Sequence, residues 1–100
     1  MEAEQIKRLI IGNLFAVKLL NDSMIDITAH SELCKNLREL AHAWQGLECI
    51  DKELMQYIYS FVMVTLNHAQ APGVNAEERE QLWNMYIELD NLVLECLASE

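Results

Sequence analysis

Glycine and proline are scarce in this chain of 100 residues, which holds only three Gly and one Pro. These two residues interrupt helices most strongly, and the chain is rich instead in the helix formers Leu, Ala, Glu, Gln and Met. The composition therefore predicts an all-helical protein. It also excludes a glycine-rich phosphate loop, because Gly12, Gly46 and Gly73 are far apart.

Basic residues are also few, with seven Lys and Arg against sixteen Asp and Glu, so the net charge is −9. Phosphate groups are bound by basic surfaces, and we therefore expect neither direct nucleic-acid binding nor binding to an anionic membrane. The first residues are acidic, unlike a secretory signal, and the longest apolar run is too short to span a bilayer. The sequence predicts a cytoplasmic protein whose partner is another protein, and a basic protein would complement its charge.

Cysteine is limited to Cys34, Cys49 and Cys96, an odd number of widely spaced residues without a C-x-x-C pair. No disulfide framework is implied. All three lie among apolar neighbours, where a thiol is normally inert. No cysteine nucleophile is predicted.

Two patterns resemble parts of metal sites. His30 and Cys34, one helical turn apart, could supply two zinc ligands, but a structural zinc site needs four and no second pair completes it. The run Glu39-Leu40-Ala41-His42 has the Glu-x-x-His spacing of di-iron bundles, which require a second copy that this chain lacks. The sequence therefore predicts no metal, no cofactor and no catalytic residue.

The stretch from Leu54 to Leu66 is apolar or aromatic except for Gln56, Ser60 and Thr65. On a helix, Gln56, Ser60 and Asn67 fall on one narrow strip, and the rest of the surface is apolar. A helix of this kind must be buried on most sides. Other helices, or a second copy of the chain, are therefore expected to surround it.

Apolar spacing predicts four helices, at about Ala3–Leu20, Ala29–Gln45, Asp51–Ala69 and Ala76–Ala98. Asp51 and Asn75 are predicted to be N-caps, and Asn75 is predicted to form a capping box with Glu78. Gly46 is predicted to end the second helix. Asp26 and Thr28 are both candidate caps, so the segment from Met24 to His30 is left open as helix or loop. The expected inner faces are Ile6, Leu9, Ile10, Asn13, Val17 and Leu20; Leu33, Leu37, Leu40, Trp44 and Leu47; and Leu82, Met85, Tyr86, Leu89, Leu92, Val93, Cys96 and Leu97.

Short connections favour antiparallel neighbours. The predicted fold class is therefore an all-α, antiparallel four-helix bundle formed by residues 1–100 as a single domain. The hydrophobic fraction of 52% is high for a domain of this size and indicates that a partner or a second copy covers some apolar surface. We predict a homodimer, and a monomer that exposes more leucine than average is the other interpretation. The main alternative to a bundle formed by one chain is a dimer in which the helices of two chains together form one core.

The last quarter of the chain is strongly acidic, with a net charge of −6 from Val74 onward against −3 before it. This charge either keeps a surface helix solvated or forms a docking face for a basic partner. The residues predicted to bind the partner are Glu77, Glu80, Glu88, Asp90 and Glu95, with Trp83 as an aromatic anchor.

Large side chains on the third predicted helix spread too widely around it to enter one core. Aromatic residues and methionine are enriched in interfaces, and we predict a dimer interface here, although each residue could instead belong to the core. The predicted interface residues are Tyr57, Tyr59, Phe61 and Met63.

The function predicted from these observations is a small, acidic, non-enzymatic protein-binding module that acts stoichiometrically. An inhibitor, an immunity or anti-factor protein would cover a basic site with the acidic face, whereas a co-chaperone would hold a partner helix in an apolar groove. The alternative is a helical-bundle enzyme that binds a metal or a small ligand.

Overall fold

A computed structural model describes residues 2–46 and 50–98, and all regular secondary structure within them is helical. The predictions for Leu47 and Cys49 lie outside these residues. Five helical segments follow one another along the chain: α1 (Ala3–Ile11), α2 (Phe15–Asp22), α3 (Ile27–Trp44), α4 (Lys52–Gln70) and α5 (Ala76–Leu97).

The first predicted helix is broken between α1 and α2, which together form the first arm of the bundle. Asn13 lies in the break, where its Oδ1 accepts a hydrogen bond from the Phe15 amide at 2.9 Å. Because the break resets the helical phase, α2 buries Phe15, Ala16 and Leu19. The predicted inner positions Leu9, Val17 and Leu20 are instead exposed, so that part of the predicted face is wrong.

The predicted N-caps of α4 and α5 and the predicted end of α3 at Gly46 are confirmed, and of the predicted capping box the bond from the Glu78 amide to Asn75 is present. Asp51 and Asn75 each accept a hydrogen bond from the backbone of their first helical turn, and Gly46 adopts a φ of +79° after α3. The open segment is also resolved, since α3 begins at Ile27 with Asp26 as its N-cap. The capped amides belong to Ala29 (3.0 Å), Leu54 (3.1 Å) and Glu78 (2.8 Å).

The helices pack in a ring, in the order first arm, α3, α5 and α4. Although α3 and α4 are consecutive in the chain, they lie diagonally opposite and share no close backbone contact among the described residues. The prediction that consecutive helices are neighbours is wrong for this pair. The new neighbours α3 and α5 run in the same direction, because His30 lies beside Glu88 while Leu37 meets Cys96 further along both helices.

All five helices contribute to one hydrophobic core. The predicted inner face of α3 is buried over its described residues, whereas at the end of α5 Leu97 is half-exposed, contrary to prediction. No helix within residues 2–46 and 50–98 has both the length and the apolarity needed to cross a membrane. The largest fully buried side chains are Phe15, Ile6, Ile10, Leu19, Leu33, Leu37, Leu40, Leu54, Ile58, Leu89 and Thr65.

Candidate functional site

One flank of α5 carries apolar side chains that the fold leaves uncovered. Ile87, Leu94 and Leu97 are 50%, 59% and 50% exposed, and Trp83 is half-buried. These four residues follow one another at intervals of four, seven and three, so they lie on one strip of the helix, named here the α5 strip. The indole of Trp83 packs edge-on against Tyr86, with 5.6 Å between the ring centroids.

The neighbouring helices define which way the α5 strip faces. Arg38 of α3 donates a hydrogen bond to Glu88 at 3.1 Å, and Glu88 lies about 120° around α5 from Leu94. The strip is therefore on the flank towards α4. On α4, Glu53 pairs with Lys7 of the first arm at 3.8 Å, and Tyr59 lies about 120° away on the side towards α5. Tyr59, 62% exposed, is therefore on the flank of α4 towards α5.

The fold divides the acidic residues predicted to bind a partner. Glu80 is exposed and lies three residues before Trp83, and Asp90 is half-exposed and lies three residues after Ile87. Both are therefore on the same side of α5 as the α5 strip. Glu95 lines a shallow groove with residues of α3. Glu88 also faces α3, through Arg38, and Glu77 is exposed in the first turn of α5. Only Glu80, Asp90 and Trp83 of the predicted set accompany the uncovered apolar surface.

The four predicted interface residues of α4 do not form one surface. Phe61 is only 7% exposed and belongs to the core, because it falls on the inner face with Ile58 and Thr65. Tyr57 and Tyr59 are 42% and 62% exposed, but positions two residues apart lie about 200° apart around a helix and therefore on different flanks. Met63 is half-buried.

A second polar arrangement lies between α3 and α5. His30 and Cys34 in the first half of α3 are 5% and 2% exposed, and Cys34 Sγ lies 3.6 Å from His30 Nε2. Glu88 of α5 brings Oε1 to 4.0 Å from the same ring nitrogen. One ligand atom from each of these three residues lies within 4.8 Å of the others.

Burial controls the protonation of this cluster. It lowers the pKa of His30, which the charge of Glu88 opposes, and the imidazole is therefore neutral near neutral pH. Burial also raises the pKa of Cys34 to about 12, with a further increase from Glu88, so the thiol keeps its proton. The His30 ring packs against Phe15 with 5.1 Å between centroids.

Sequence reasoning missed Glu88 as a companion of His30 and Cys34. It lies on a helix that is distant in sequence, and no spacing rule links the two segments. The Glu-x-x-His pair is not brought into this cluster: His42 is exposed, and Glu39 has a buried Oε2 without a hydrogen-bond partner among the described residues.

Comparison with protein-family models, curated proteins and solved structures finds no match. The function is therefore inferred from geometry. Two features carry it, the acid-bearing α5 strip and the cluster of His30, Cys34 and Glu88.

Proposed function

We propose that the protein is a non-enzymatic, cytoplasmic protein-binding module that acts stoichiometrically, and that its α5 strip binds an amphipathic, basic helix of a partner protein. The observation that carries this proposal is the strip itself. Three aliphatic side chains at least half exposed on one helix flank, beside a tryptophan, form an uncovered apolar surface. Contiguous surfaces of this kind are typical of interaction sites.

The shape of the surface favours a helical partner. The α5 strip runs along the helix from residue 83 to residue 97, and Tyr59 is exposed on the flank of α4 towards α5. An amphipathic helix laid along such a surface inserts side chains spaced three, four and seven residues apart. This is the binding mode of the co-chaperone that the sequence suggests, rather than that of an inhibitor with a purely acidic face.

Charge favours a basic partner over a second copy at this site. Glu80 and Asp90 lie on the line of the α5 strip, and the whole chain carries −9. Lys or Arg residues bordering the apolar face of a partner helix would complement these carboxylates. In a twofold dimer through the strip, the same carboxylates of two copies would approach one another, which is unfavourable.

A synthetic helical peptide with a leucine face bordered by lysines is the probe. Its affinity for the protein is measured by calorimetry. We expect one peptide to bind per chain, and Leu94→Ser to weaken binding by about tenfold. Leu9→Ser is the matched control, because Leu9 is a leucine of similar exposure, 47% against 59% for Leu94, that lies on α1 outside both strips. Failure of the peptide to bind, or equal losses for both variants, would overturn the proposal.

We also propose that the chain forms a homodimer, through a different surface. Leu14, Val17, Leu20 and Met24, which lie on α2 or within two residues of its ends and are named here the α2 strip, are all about half exposed. None of these four positions is charged, so two copies can approach without the repulsion expected at the α5 strip.

Light scattering on a sizing column tests this second proposal. We expect a dimer for the natural chain and for Leu94→Glu, and a monomer for Leu20→Glu. A monomeric natural chain, or a dimer that Leu94→Glu alone disrupts, would contradict self-association through the α2 strip.

A further inference from the structure

The cluster between α3 and α5 has the donor set of a zinc site. A neutral imidazole, a cysteine sulfur and a carboxylate oxygen are the three ligand types that Zn²⁺ takes from proteins. His30 and Cys34 are one turn apart on the same face of α3, and Glu88 approaches from α5. His30 and Cys34 are more than nine-tenths buried, whereas the Glu88 side chain is 45% exposed and leaves a route from solvent.

The distance between the sulfur and nitrogen donors fits tetrahedral coordination, and the carboxylate oxygen lies further out. With the usual Zn–S and Zn–N bond lengths, the sulfur and nitrogen ligands of one ion lie about 3.6 Å apart, and nitrogen and oxygen ligands about 3.4 Å apart. Here Cys34 Sγ and His30 Nε2 are 3.6 Å apart, and His30 Nε2 and Glu88 Oε1 are 4.0 Å apart. A small movement of one solvent-exposed carboxylate completes the geometry.

Arg38 holds that carboxylate in place. Its Nη2 donates to Glu88 Oε2 at 3.1 Å, which turns the other oxygen, Oε1, towards His30. A hydrogen bond of this kind to the outer atom of a ligand commonly orients it for a metal. Arg38 is thus a positioning residue and not itself a ligand.

We propose that His30, Cys34 and Glu88 bind one Zn²⁺ ion, with water as the fourth ligand. Binding forms a Zn–S bond and breaks the S–H bond of Cys34, whose proton leaves to solvent, while His30 and Glu88 each donate an electron pair without a proton change. Because the ligands come from two helices, the ion links α3 to α5. This inference is independent of the proposed protein-binding function.

Zinc titration and cobalt spectroscopy of the full chain, purified without a metal-affinity tag, test the site. We expect one Zn²⁺ per chain, and with Co²⁺ a thiolate-to-metal charge-transfer band. Cys34→Ser should abolish the band. Cys96→Ser should keep it, because Cys96 is equally buried but lies outside the cluster, where its thiol donates a hydrogen bond to the backbone oxygen of Leu37. Glu88→Gln should keep the fold and weaken zinc binding by about tenfold or more.

The variants of Arg38 separate positioning from a general effect on stability. Arg38→Ala should weaken zinc binding by about tenfold with the charge-transfer band retained, and Arg38→Lys should restore part of the affinity. The site is refuted if neither metal binds, if cobalt binds without the band, or if Cys34→Ser and Glu88→Gln bind zinc like the natural chain. If Cys34→Ser does not fold, the result for Glu88→Gln decides.

Discussion

Asn13 donates a hydrogen bond from its side-chain amide to the backbone oxygen of Ala29 at 2.9 Å. The same side chain accepts a hydrogen bond from the backbone amide of Phe15, the first residue of α2. Asn13 therefore connects the start of α2, and with it the break in the first arm, to the first turn of α3.

Asn13→Ala should lower the free energy of unfolding by about 1–3 kcal/mol, because it leaves the partly buried Phe15 amide without its acceptor and removes the side-chain hydrogen bond to the Ala29 oxygen. Asn13→Asp keeps the acceptor for Phe15 but places an oxygen against that of Ala29, so it should also destabilise. Urea unfolding measures both. The exposed Asn21→Ala serves as the control and should stay within about 0.5 kcal/mol of the natural chain. An equally small change in the free energy of unfolding for the Asn13 variants would contradict the role of Asn13 in connecting α2 to α3.

The sequence contained enough to predict most helices but not this break. Apolar periodicity and caps predicted α3, α4 and α5 to within about two residues at each end. Asn13, by contrast, stands at helical spacing from Ile10 and Val17, and the local signal before it is Gly12, the C-cap of α1, which a continuous helix can also tolerate. Its partner Ala29 belongs to another helix, and such a contact is not visible in spacing.

The candidate sites were predictable only in part for a related reason. Whether a flank of α5 is covered depends on which helices are its neighbours, and the diagonal placement of α3 and α4 was not expected. Trp83, Glu80 and Asp90 were predicted for a partner, whereas Ile87 and Leu94 were not.

Two N-cap carboxylates make the fold sensitive to acid. The pKa values of Asp26 and Asp51 are lowered, first by hydrogen bonds from Lys18 and Lys7, each 2.7 Å long, and then by backbone amides. A lowered pKa in the folded state stabilises the fold above the unfolded value of about 4, and this contribution is lost as pH falls through the lower folded value.

Asp26→Asn should therefore reduce the fall in Tm between about pH 6 and about pH 2, since asparagine can still cap the helix but does not titrate. Asp22→Asn removes the same charge from the exposed end of α2 and is the control. Thermal unfolding followed by circular dichroism at several pH values measures the slopes. Equal slopes for Asp26→Asn and the natural chain would refute the linkage.

The thiol of Cys96 should be protected in the folded protein. It donates to the backbone oxygen of Leu37 at 3.4 Å, and burial raises its pKa to about 11. At pH 8 we expect alkylation at least about a hundredfold slower than in the urea-unfolded chain, because little thiolate forms. Peptide mass spectrometry resolves this cysteine from the others. Equal rates in the two states would show that this end of α5 is open.

The carboxylates beside the α5 strip should make it bind positively charged peptides more tightly than negatively charged ones. Glu80→Lys should weaken binding of the lysine-bordered peptide by about fivefold or more, and added salt should reduce this difference. Glu32→Lys makes the same change of charge on an exposed position of α3 and should have a much smaller effect. Calorimetry at two salt concentrations compares the variants. Equal losses for both would indicate attraction by net charge and not by this surface.

The most direct measurement of the central claim is the ratio of two affinities for the natural chain. The two peptides share the leucine face, but one is bordered by lysines and the other by glutamates. If the α5 strip binds a basic amphipathic helix, the lysine peptide binds at least about tenfold more tightly. Equal affinities, or tighter binding of the glutamate peptide, would contradict the account.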